Sequence, residues 1–145
     1  MLQGHRGSSC QVGPIMVRKT LPFLGAFVVL SIGYLAGFFF FGHLFADEAP
    51  ANPPLLPFFP AFAISNVLLV IFFAWVAREM EHTMNAALSV AIGQILLVNV
   101  FYVMTGSRTV IAGAASSLVL LVTWPLVAIT FQALQDRAKV ATVQE

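Results

Sequence analysis

Glu79 and His82 stand three residues apart in "WVAREMEHTMN", Trp75 to Asn85, with Arg78 and Glu81 close by. A glutamate and a histidine at i and i+3 share one face of a helix, the spacing used by di-metal carboxylate bundles. Such a bundle needs this motif twice, plus two glutamates from facing helices. The chain carries Glu-x-x-His once. It offers no Ser-His-Asp or Cys-His arrangement and no phosphate-cradling loop. Glu79 and His82 are weak metal candidates, and no residue is assigned as catalytic. The competing reading is a wet turn between two buried helices. There Arg78 ends one helix with its stem in lipid and its guanidinium among headgroups, and it complements the carbonyl end of that helix. Glu81 can pair with it weakly. The turn explains every residue and is the favoured reading.

Composition says where such a turn would sit. Hydrophobic residues are 59% of the 145 and charged residues 9%, against about 45–50% and about 25% in soluble globular chains. One small domain cannot hide that much apolar surface within itself, so the surplus faces lipid. Seven basic and six acidic residues leave a net charge of +1, which indicates no nucleic-acid partner. Cys10 is the sole cysteine, so no intrachain disulfide can form, and it reads as an inert thiol.

Four apolar runs, about 21–45, 57–77, 84–104 and 109–134, each reach the roughly 20 residues that span the hydrocarbon layer as a helix. None contains Asp, Glu, Lys or Arg. Backbone groups in lipid must be satisfied within the segment, which a helix achieves. The expected fold is therefore all-α, an up-down-up-down four-helix membrane bundle. Residues 1–19 are expected to form a polar, disordered segment and 135–145 a polar tail. The first run is too long for a cleaved signal peptide, and Met16 offers an alternative start. Expected caps are Thr20, Thr83 and Ser107, with Gly106 as a left-handed terminator. Pro57 and Pro60 open the second helix, and Trp124-Pro125 should kink the fourth.

With an even number of crossings, Arg6, Arg18, Lys19, Arg78, Arg137 and Lys139 share one side, leaving Arg108 beside Asp47 and Glu48 on the other. An excess of Lys and Arg marks the cytoplasmic face, so both termini are expected inside a bacterial cytoplasmic membrane. The same layout places His43, Asp47 and Glu48 a bilayer thickness, roughly 30 Å, from His82. They cannot join one metal site with it.

By depth, Tyr34, Asn66, Gln94 and Thr123 fall in one layer, with Ser31 and Ser117 nearby. Amides and hydroxyls facing lipid are costly, so they should point inward and pair, Asn66 with Gln94 being the expected contact. This layer is either a small-ligand pocket or interhelical hydrogen bonding, and the second is favoured. Gly33 and Gly37 form a GxxxG that Gly25 and Val29 extend. Ser89 and Gly93 repeat the spacing, as do Ala112 with Ser116 and Gly113 with Ser117. Such stripes permit close helix packing within the bundle or between copies. Phe38 to Phe41, Phe45, Phe58, Phe59, Phe62 and Phe101 suggest a belt facing lipid or another membrane subunit.

No motif ties the chain to one family. The expected role is a non-catalytic accessory, assembly or oligomeric structural component, without a cofactor. Its expected partners are the lipid bilayer, itself or another membrane subunit. A small transporter, channel or apolar-ligand carrier built on the midplane polar residues is the alternative, and a membrane enzyme at Glu79/His82 is the remote one.

Overall fold

Within residues 13–45 and 56–143, which the computed structural model describes, nearly all of the backbone is helical. Helix α1 runs Gly13–Phe41 and tightens into a 3₁₀ turn over Gly42–Phe45. Helix α2 is Phe58–Glu79. Helix α3 is Thr83–Met104, a continuous rod with a π-helical segment at Ile95–Val100. Helix α4 is Val110–Val143. Stretches Thr20–Leu44, Phe58–Glu79, Thr83–Met104 and Val110–Val140 are each long and apolar enough to cross a membrane.

The ends differ from expectation in instructive ways. α1 begins at Gly13, so Thr20 lies inside the helix instead of capping it. α4 likewise continues past residue 134, because "QALQDRAKV" contains no proline or glycine and Asp136 pairs with Lys139 one turn on, at 3.6 Å. The polar segments expected at 1–19 and 135–145 thus include helical turns; residues 1–12, with Cys10, lie outside the described residues, as does 46–55 with Asp47 and Glu48. At α3 the cap position falls on His82, whose carbonyl receives the N–H groups of Asn85 and Ala86. At α4 Thr109, not Ser107, caps: its hydroxyl accepts the Ala112 N–H at 3.2 Å. Gly106 does adopt the left-handed conformation, at φ 72°, and its N–H bonds the Val103 carbonyl while the Arg108 N–H reaches the Tyr102 carbonyl. α4 continues through Pro125.

Side-chain contacts set the topology. Phe38 meets Phe58, Gly33 meets Thr123 and Gly113 meets Val103, so sequential neighbours run antiparallel and α4 closes the ring against α1. Neighbouring helices touch along their backbones, whereas α1 and α3, and α2 and α4, lie diagonally apart. Large side chains fill the diagonal. Phe73 of α2 packs on Trp124 and Phe131 of α4, with ring centroids 5.5 and 5.4 Å apart. Phe131 also meets Phe23 of α1 edge-on. Ala86, Ala87 and Ala91, all fully buried, let α3 lie close to its neighbours.

The apolar core is lopsided. Ala26, Leu30, Val70, Phe73, Val90, Trp124, Val127 and Phe131 all belong to the half of the bundle nearer the Glu79–Thr83 turn. The half nearer the Gly106 turn holds polar groups and a cavity instead.

Candidate functional site

The Glu79–His82 stretch is an exposed turn. Arg78, Glu79, Glu81 and His82 are all exposed, and among the described residues no group of three His, Cys, Asp or Glu could hold a metal ion. His43 is exposed in the turn that ends α1, the end of α1 whose Phe38 meets Phe58 at the start of α2. The 22 residues of α2 separate it from His82 by about 33 Å at 1.5 Å per residue.

The interior polar residues meet in two clusters. In the first, Tyr34 of α1 and Trp124 of α4 donate to the same Gln94 Oε1 of α3, at 3.2 and 2.7 Å. Indole nitrogen can only donate, so Gln94 must present its oxygen here. Asn66, almost fully buried, donates to Ser31 Oγ at 3.0 Å. Asn66 and Gln94 therefore take separate partners, not each other. Ser31 and Tyr34 are one turn apart on α1 and intercept one amide each. Thr123 is buried against Gly33.

The second cluster was not visible as such in the sequence. Arg108 Nη1 donates to Asn99 Oδ1 at 2.9 Å and, more weakly, to Ser116 Oγ at 3.4 Å. Asn99 Nδ2 donates to Ser117 Oγ at 2.9 Å, and Ser117 returns its proton to the Gly113 carbonyl at 2.7 Å. The guanidinium also lies 5.8 Å from the Tyr102 ring centroid. Asn99 is buried although it follows Gln94 by five residues. In an α-helix five residues advance about 500°, leaving Asn99 about 140° away from Gln94. The π segment absorbs one extra residue and brings both amides to the inner face, while Leu97 is pushed out to 78% exposure.

Deleting Leu97 should therefore convert the π segment to ordinary helix and preserve both clusters. Deleting Leu88 instead rotates one half of α3 by about 100° against the other. Size-exclusion profiles in mild detergent should show a folded peak for the first deletion and aggregation for the second. Equal loss in both would mean the π segment is no register correction.

The small residues divide by role. A Cβ on Gly33 would strike the Thr123 side chain, and one on Gly37 would sit 2.7 Å from Val119. One on Gly113 would sit 2.7 Å from Val103. Gly93 faces open space, and the exposed Ser89 makes a long contact to Met80 Sδ at 3.9 Å. The α1 stripe thus lies within the bundle, against α4.

A cavity of about 280 Å³ opens between the two clusters, lined by Tyr34, Gly37, Phe38, Phe41, Arg108, Ser116, Val119 and Leu120. Phe39 and Phe40 point away from it and are strongly exposed, as are Phe58, Phe59 and Phe101.

Fold and hydropathy together define a small multi-pass membrane protein with four candidate spans. No protein-family model matches the chain, and neither a curated protein nor a solved structure matches it.

Proposed function

We propose that this chain is a non-catalytic component of a bacterial cytoplasmic membrane, with an accessory, assembly or structural role and both termini on the cytoplasmic side. The observation that carries this reading is the pairing of the interior: every buried side-chain nitrogen or oxygen among the described residues has a hydrogen-bond partner. Groups paired this way hold helices together, and breaking them for chemistry in lipid is costly. The ionisable Glu79, Glu81 and His82 are exposed at the far end of the bundle from the cavity. The orientation rests on the Lys and Arg excess beside the termini and the Glu79–Thr83 turn.

Two measurements test the reading. Green fluorescent protein fused after Glu145 should fluoresce, and alkaline phosphatase fused after Gly106 should be active; the reverse pattern overturns the orientation. Elemental analysis of the detergent-purified chain should find metal far below one ion per chain. A stoichiometric metal that Glu79→Gln with His82→Asn removes would overturn the non-catalytic assignment.

A further inference from the structure

The cavity beside Arg108 has a lining that helix packing alone does not require. Most of its wall is apolar: Gly37, Phe38, Phe41, Val119 and Leu120. Onto this wall open a phenol, a hydroxyl and a guanidinium, from Tyr34, Ser116 and Arg108. Arg108 is the charged group among these lining residues. A void bounded by hydrocarbon would be filled most simply by a larger side chain, since interiors pack without gaps. Gly37 lines it on the α1 side, packed closely against Val119.

An arginine against such a wall is the group best matched to a phosphate or carboxylate, because its planar fork binds two oxygens at once and stays charged. The bonds from Nη1 to Asn99 and Ser116 hold the guanidinium at the mouth of the cavity. From Arg108, just ahead of α4, the lining reaches inward to Leu120 and Tyr34. The span from Tyr34 to Phe41 along α1 corresponds to about 10 Å of helix.

We propose that this cavity binds the anionic headgroup of a single membrane lipid, with phosphate or carboxylate oxygens on Arg108 and the first methylenes along Phe38, Phe41 and Val119. The volume sets the size of what enters. At about 30 Å³ per water, 280 Å³ corresponds to roughly nine waters, enough for a headgroup and a few carbons but not a whole lipid. The tails would continue into the surrounding bilayer. The site is compatible with a non-catalytic role and does not depend on it.

The test uses the full chain purified in a neutral sugar detergent and native mass spectrometry. Three probes are added in turn: dioleoylphosphatidylglycerol, dioleoylglycerol and inorganic phosphate. The expected result is one phosphatidylglycerol per chain, retained at least about tenfold more tightly than dioleoylglycerol, as one charge-assisted contact implies. Inorganic phosphate should bind far more weakly than the lipid. Arg108→Gln should remove the preference, and Leu120→Phe should reduce it by occupying the cavity. If Arg108→Gln does not fold, Arg108→Lys, which keeps the charge but loses the fork, should weaken retention. Equal retention of both lipids by the unaltered chain would overturn the proposal as nonspecific annular lipid. Tight binding of inorganic phosphate alone would overturn the lipid as its source.

Discussion

Gly33→Val should abolish most of the folded protein, while Gly93→Val, at an equally helical position, should leave it nearly intact. A Cβ at Gly33 would run into the Thr123 side chain, and one at Gly37 would lie 2.7 and 2.9 Å from the two methyls of Val119. Threonine and valine are β-branched and hold few rotamers in a helix, so neither obstacle can swing aside. Even one added methyl costs about 1–3 kcal/mol in a packed interior, and valine adds more than one. At Gly25 the obstacle is the tip of Leu134, a more flexible side chain, so Gly25→Ala should be milder. Gly93 has nothing within 4 Å, and Gly93→Ala should gain about 0.5–1 kcal/mol from helix propensity. Thermal unfolding in detergent, read by size-exclusion, gives the ranking. Similar melting for the Gly33 and Gly93 variants would mean that α1 and α4 do not meet where described.

The second large effect is expected at Gln94. Gln94→Leu removes one oxygen that serves two donors, Tyr34 and Trp124. Trp124 is fully buried, so its indole N–H cannot turn to water. A buried donor left without a partner costs about 1–3 kcal/mol. Interhelical bonds in membranes average about 0.6 kcal/mol and reach about 1.7. The two-donor arrangement places the expected loss at about 1–3 kcal/mol, above the average of single interhelical bonds and reaching past their maximum. Combining Gln94→Leu with Tyr34→Phe should recover part of the loss, because the second change deletes one of the orphaned donors. A double-mutant cycle with zero coupling, or a Gln94→Leu protein that melts like the parent, would remove the polar layer as a structural element.

These residues also show how far the sequence could be read. The four spans follow from uninterrupted apolar runs, and counting residues along them places Tyr34, Asn66, Gln94 and Thr123 at one depth. Depth says nothing about rotation, so the pairing of Asn66 with Ser31 and of Gln94 with Tyr34 and Trp124 could not be read from it. Asn99 was hidden for a different reason. An α-helical reading turns it away from Gln94, and no proline or glycine within Ile95–Val100 announces the π segment. Arg108 looked like a stray loop cation because counting charges by side ignores what each one touches. The end of α4 was missed because the end of an apolar run need not end a helix.

The α1 stripe has a consequence for association between copies. Gly33 and Gly37 lie against α4, so the surface with the closest possible backbone approach is already occupied. Outward-facing leucines, isoleucines and phenylalanines, among them Leu24, Ile32, Phe39, Leu68 and Leu97, are what remains for a neighbour. Helices meeting through such bulky faces stand at wider interaxial distances, and each contact must displace acyl chains that pack almost equally well. Any homomeric lattice built this way would be loose and responsive to the fluidity and thickness of the surrounding bilayer.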